Sequence, residues 1–496
     1  MRQTIDTQKT LTRLLALVAA IALSACSSIP QALVDALPVD RLLPGAATAA
    51  PIRQLKQDTA PPMGVTTAEL VRQRSTIRVG VRFDAPPLSS VNESGELEGM
   101  DIDIAREMAR RWLGSGKLIE FVQVSNASAP EKIRLRQIDL ALGGLVHTRD
   151  AEDGADFGLQ YFEDGEAILT RANAFKDLKS LSRQTLEYVD FPTLDAVRTA
   201  QITANITTTL LSNTSYERAV QDLKAGKAVG VAGNLRRLRL EVLKDPQFQI
   251  LQVIQRNSVA VMIPENDSAW SRLVDATLAN LMRDGTFSSI YAKWWQTPPT
   301  LPRLDPAIED TNIATLSARR TISDSLTSLR LARTARIGFI AGNDGFVAVD
   351  AKNQPVGFEI DLSRELSKRW FGADAAVQFV PVPAAQLSAM LLGDKINLAV
   401  GAIDQGRLAG TGLTLSEPTF LPVNGITRTV SVRSPIGFAL PENSSELRDL
   451  VNMTVQDTIK DGTYAKLFRK WFGANAPLPD LPIWKGDYNP ITKLVQ

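Results

Sequence analysis

One cysteine, Cys26, and one histidine, His147, are the whole supply of thiol and imidazole in 496 residues. A structural zinc site, an iron–sulfur cluster, a disulfide framework and a Cys–His nucleophile all need more of them. A Ser–His–Asp triad would have to use His147, and no Gly-x-Ser-x-Gly elbow accompanies it. No obvious carboxylate pair points to acid–base work. His147 lies in Gly144-Leu145-Val146-His147-Thr148-Arg149. There it is a ligand contact or pH-sensitive group, or a solvated loop residue. Asp84, before Ala85-Pro86-Pro87, meets a cationic group or starts a turn.

These residues need elements to position them. Ile77 to Val81 alternates apolar and polar and reads as a strand. Ile104, Met108 and Trp112 form one helical stripe flanked by Ala105 and Ala109, with Asp101 or Asp103 free to cap the first turn. Ile119 to Val124 is a second strand, Glu131 to Gln137 a helix, and Ile138 to Leu142 a third strand ending in Gly143-Gly144. Alternating strands and helices predict an α/β fold with a parallel, doubly wound sheet. Ligands of such sheets sit beyond the carboxyl ends of the strands, so the loops after Val81, Val124 and Leu142 matter most.

The module occurs twice. Gly99 to Gly114 returns as Gly357 to Gly372, an offset of 258 residues. The closing block Asp284-Gly285-Thr286-Phe287 to Trp295 returns as Asp461-Gly462-Thr463-Tyr464 to Phe472, an offset of only 177. Copy two therefore lacks 81 residues from its middle. The repeat is far longer than a solenoid unit and marks a duplicated domain.

Arg2, Lys9 and Arg13 precede a short apolar run from Leu14 to Leu23, the pattern of a secretory signal. Leu23-Ser24-Ala25-Cys26 resembles the lipobox of bacterial lipoproteins. That resemblance implies cleavage after residue 25, acylation at Cys26 and attachment to a membrane through lipid. Residues 26–72, rich in Ala, Pro and Thr, read as a flexible tether. The net charge of +1 gives no pull toward nucleic acid.

The order of motifs resembles the bacterial solute-binding proteins of the polar-amino-acid uptake type. The matching stretches are Val79 to Pro87, Gly99 to Ile104, Asp139 to Gly144, Tyr161 to Glu166, Leu223 to Lys227, Val259 to Pro264 and Asp284 to Trp294. The resemblance implies two α/β lobes, a hinge, a ligand cleft and delivery to an ABC-transporter permease. It divides the chain into a full module over 73–296 and a linker over 297–325. A truncated second module follows over 326–475, then a tail over 476–496 with Trp484 and Tyr488, which packs back on a domain or docks a partner. Lobe one takes about 75–165 and 258–296, lobe two about 166–257. The missing 81 residues are most of lobe two, so copy two is expected to keep a single lobe and not to capture a solute by closure.

In that family an Arg at the end of Thr-x-Thr-x-x-Arg holds the ligand carboxylate. Here that position holds Ala151, and Arg149 sits two residues early, as does Arg407 in copy two. Either Arg149 reaches the cleft by a changed loop path or the anchor is lost. Asn234 stands where relatives carry an Asp for the ligand amine; it accepts from a ligand or caps a helix. The candidate ligand residues are thus Asp84, Gly144, His147, Thr148, Arg149 and Asn234. The first expectation is a lipid-anchored solute-binding protein for a transporter. The alternatives are a sensing or structural envelope lipoprotein and, against the shortage of His and Cys, an enzyme on the same fold.

Overall fold

The computed structural model describes residues 64–296, 313–315, 325–342, 345–372, 377–408, 411–422, 434–481 and 483–495. The expected signal, Cys26 and the tether up to residue 63 lie outside the described residues. Among the described residues no helix is long and apolar enough to cross a membrane.

The tether expected to reach residue 72 stops short of it. Thr66-Thr67-Ala68-Glu69 is a Thr-x-x-Glu capping signature, and Thr66 accepts from the Glu69 N–H at the start of a helix over Thr67–Arg74. Its Thr67 N–H donates to Asp267 at 2.7 Å, which fixes the helix to the first module.

The strands of that module are β1 Ile77–Val81, β2 Asp84–Ala85, β3 Ser89–Val91, β4 Leu97–Glu98, β5 Ile119–Gln123, β6 Leu140–Ala141, β7 Asp156–Arg171, β8 Thr185–Tyr188, β9 Thr209–Ser212, β10 Gly230–Asn234 and β11 Phe248–Ile263. Eight of them form one sheet in the order β5-β1-β6-β11-β7-β10-β8-β9. The parallel pairing expected from the sequence holds for β1 with β5 and β6, and for β8 with β9 and β10. It fails in the centre, where β7 and β11 run antiparallel. Each of these strands has 16 residues, long enough at ~3.4 Å per residue to traverse both lobes. Gly165 stands midway with φ of +144°, where a Cβ would strike the Gln255 carbonyl. The register also slips between Val253 and Gln255. A bulge opposite a glycine bends the ribbon where one lobe passes into the other.

In the second module the ribbon is cut. Its strands are β12 Ala335–Phe339, β13 Ala348–Val349, β14 Pro355–Val356, β15 Val377–Pro381, β16 Leu398–Ile403, β17 Leu413–Leu415 and β18 Gly437–Pro441. Five form a sheet in the order β15-β12-β16-β18-β17. The counterparts of β7 and β11 are only 3 and 5 residues long. This is a single lobe with its own apolar core around Trp370, Phe358, Phe438 and Phe468.

The duplication is repeated in side-chain contacts. The Trp112 indole donates to Thr277 at 2.8 Å and that of Trp370 to Thr454 at 2.9 Å. Lys293 pairs with Asp103 at 2.7 Å and Lys470 with Asp361 at 2.6 Å. Asp101 and Asp103 therefore do not cap the helix over Met100–Leu113, whose N-cap is Gly99. Stronger donors from other elements draw both carboxylates away.

Candidate functional site

A cavity of about 530 Å³ lies on the lobe-two side of the first module, lined by Glu166, Asp190, Tyr216, Asn234, Arg236 and Arg237 among others, with Arg82 reaching it from lobe one. Arg82 follows β1, where an α/β sheet presents its ligand loops. Arg236 opens the helix over Leu235–Lys244 and donates to the Pro86 carbonyl of lobe one. Burial lowers its pKa; Asp164 opposes this, and the nearby Arg82 lowers it further. Each guanidinium already has a carboxylate beside it, Asp84 at 3.0 Å from Arg82 and Asp164 at 3.4 Å from Arg236, so an anion in the cavity would add to or exchange with these pairs. On the same cavity Glu166 accepts from the Thr193 hydroxyl at 2.7 Å. Burial pushes its pKa up to about 7 against that bond, and Asp190 and Asp164 add to the rise. The Tyr216 hydroxyl donates to Asp190 at 2.9 Å.

The candidate residues divide between two places. Asp84 is exposed and accepts from Arg82 at 3.0 Å, a bond that with nearby positive charge lowers its pKa despite partial burial. Asn234 lines the cavity and also works structurally. Its amide donates to Asp164 at 3.1 Å and its carbonyl oxygen caps the following helix through the Arg237 N–H.

His147, Thr148 and Arg149 face the second module instead. The Arg149 guanidinium is buried, pairs with Asp457 at 2.7 Å and donates to the Met453 carbonyl at 3.0 Å. The Arg149 backbone N–H donates to the Lys485 carbonyl at 2.6 Å. Arg407, its counterpart in copy two, is exposed. Thr148 caps the short helix over Arg149–Glu152. His147 is sandwiched between Phe157, at 4.1 Å, and Trp484, at 3.8 Å. Burial lowers its pKa to about 3, with charges of both signs around it, so it stays neutral. The tail thus packs back on the first module. Gly486 permits this: a Cβ there would lie 2.7 Å from Asp150, which accepts the N–H groups of Asp487 and Tyr488.

Gly144 belongs to a positioning device. The Gly143 and Gly144 N–H groups donate to Asp101 at 2.7 and 2.9 Å, and the Tyr161 hydroxyl donates to the same oxygen at 2.8 Å. In copy two Glu359 accepts from Gly401 and Ala402. One carboxylate thus pins the backbone just after β6 in the first module and within β16 in the second. Burial raises the Asp101 pKa to about 6, the three donors opposing it. A pKa raised on folding adds stability that is fully present below about pH 4 and is lost as pH rises through 6. We expect Asp101→Asn to keep an acceptor for these donors and to remove that slope. The expected gain near pH 7 is on the order of 2 kcal/mol, read from urea unfolding at pH 4.5 and 7.

The profile of the bacterial extracellular solute-binding proteins, family 3, matches residues 77–297 and again 335–474. A glutamine-binding protein of Geobacillus stearothermophilus is 28% identical over 193 residues, which is 38% of this chain and 72% of that protein. The ABC transporter glutamine-binding protein GlnH of Bacillus subtilis (strain 168) is 24% identical over 238 residues, 47% of this chain and 86% of that one. A crystal structure of the L-cysteine solute receptors of Neisseria gonorrhoeae aligns with a TM-score of 0.36 at 25% identity, covering 46% of this chain and 93% of that one. The two profile matches fall on the two modules already distinguished by their sheets and cores, and the chain belongs to the bacterial extracellular solute-binding proteins of family 3.

Proposed function

We propose that the first module captures a small zwitterionic or anionic solute of the amino-acid class and presents it to an ABC-transporter permease, binding it without chemical change. The observation that carries this is the juxtaposition of Arg82 and Arg236 with Glu166 at one cavity. A carboxylate would add to or exchange with the pairs these guanidinium groups already make, and an ammonium would pair with Glu166. The names of the relatives, glutamine-binding proteins among them, support the same class. The second module, one lobe without a hinge ribbon, serves as a rigid partner of the first. Lipid attachment at Cys26, supported by Leu23-Ser24-Ala25-Cys26, would hold both at a membrane.

Titration calorimetry of the full chain against glutamine, glutamate, arginine and cysteine tests this. One of them is expected to bind, and more tightly from pH 6 to 8, as Glu166 loses its proton near 7 and can meet the ammonium. One observation favours the envelope-lipoprotein alternative: the loop that anchors the carboxylate in relatives here meets the second module through Arg149. No heat with any amino acid or dicarboxylate at millimolar concentration would decide for it.

A further inference from the structure

The seam between the modules is built on repeated residues. Glu265-Asn266-Asp267-Ser268 of the first module and Glu442-Asn443-Ser444-Ser445 of the second stand 177 apart in sequence, and they meet face to face. The Asn266 N–H donates to the Ser445 hydroxyl at 2.9 Å, and the Ser445 N–H to the Asn266 side chain at 2.9 Å. The Ser268 N–H donates to the Asn443 side chain at 2.8 Å. The contact therefore has an approximate two-fold character, and departures from it are informative.

One departure is a reversal of charge. Arg272 pairs with Glu442 across the seam. The residue 177 beyond Arg272 is Asp449, and the one 177 before Glu442 is Glu265. Where one half of the seam sets a cation against an anion, the other sets two acids near each other. The negative charge of Glu265 reaches both Asp449 and Glu152.

Asp449 is 1% exposed, and neither of its carboxylate oxygens has a hydrogen-bond partner. Glu152 is 3% exposed; His147 holds one of its oxygens and the other has no partner. Asp156 accepts from the Ser445 hydroxyl at 2.7 Å and pairs with Arg448 at 2.6 Å. One oxygen from each of Glu152, Asp156 and Asp449 lies within 4.8 Å of the others. Buried carboxylate oxygens without partners are costly, and both oxygens of Asp449 and one of Glu152 are in that state, while the guanidinium of Arg448 is bonded to Asp156.

We propose that Glu152, Asp156 and Asp449 hold a calcium-sized divalent cation that ties the first module to the second. The donor set is all oxygen, which suits a hard cation. Oxygens at ~2.3–2.6 Å from one ion stand at most about 5 Å apart, so three oxygens within 4.8 Å of one another need to close by a few tenths of an ångström at most to share one calcium. Magnesium, at ~2.0–2.1 Å in strict octahedral geometry, would have to draw it inward. Both oxygens of Asp449 are available for bidentate contact. The ion supplies the counter-charge that the seam lacks at the position equivalent to Arg272.

The test uses the full chain, dialysed against calcium and then against metal-free buffer. About one calcium per chain by mass spectrometry is expected. Millimolar calcium should raise the unfolding midpoint by about 5 °C over EGTA, with a smaller shift in magnesium. Terbium should show emission sensitised by Trp484, which stacks on the His147 that holds Glu152. Asp449→Asn should abolish the calcium shift and the terbium signal; Glu152→Gln provides a second variant. The proposal is overturned if wild-type protein melts identically in calcium and EGTA and binds no terbium. In that case the carboxylates share protons, and Asp449→Asn raises the midpoint equally in both buffers.

Discussion

Replacing Arg448 by leucine is expected to cost about 3 kcal/mol of stability, the largest loss anticipated from any one ion pair among the described residues. Arg448 pairs with Asp156 at 2.6 Å. Burial alone would lower its pKa, but Asp156, Glu152 and Asp449 outweigh that and raise it. Leucine leaves three buried carboxylates with no guanidinium among them. The lower end of the usual 3–5 kcal/mol range applies because the Arg448 side chain is still 22% exposed. Arg272→Leu provides the control. Its side chain is 52% exposed, so loss of its pair with Glu442 should cost less than about 1 kcal/mol. Urea unfolding followed by tryptophan fluorescence reads both. Equal losses in the two variants would mean that the seam is not the electrostatic junction described above.

The architecture was legible in the sequence because duplication preserves what packs. The stripe of Ile104, Met108 and Trp112 and its copy in Leu362, Leu366 and Trp370 survive since both bury the same helix face. The unequal offsets exposed the missing lobe. The site was less legible. Asp101 reads as a helix cap because its real partners, Gly143 and Gly144, stand 42 and 43 residues away. Arg149 reads as a cleft residue because its loop follows the third strand, yet its ion-pair partner lies 308 residues later in the chain. Arg236 was missed altogether. In Leu235-Arg236-Arg237-Leu238 an arginine looks like the solvated face of a helix. Only the folded hinge turns it toward Pro86. Local patterns report burial, whereas a groove between lobes is made of residues that meet only after the ribbon has bent.

That difference sets the sharpest contrast between two arginines. Arg236→Ala is expected to weaken amino-acid binding by tenfold to a hundredfold, the loss of about 1.5–3 kcal/mol for a charged hydrogen bond. Arg149→Ala should leave affinity within about twofold, because its guanidinium is held by Asp457 and the Met453 carbonyl. It should instead lower the unfolding midpoint, since Asp457 and the end of its helix lose their partner. Arg236→Lys separates charge from shape: it keeps the charge but not the planar fork, so an intermediate affinity is expected if a carboxylate is gripped at two points. Titration calorimetry and thermal unfolding of the same three variants give both quantities. The converse result, binding lost with Arg149→Ala and kept with Arg236→Ala, would place the solute against the second module. The cavity beside lobe two would then have no ligand of its own.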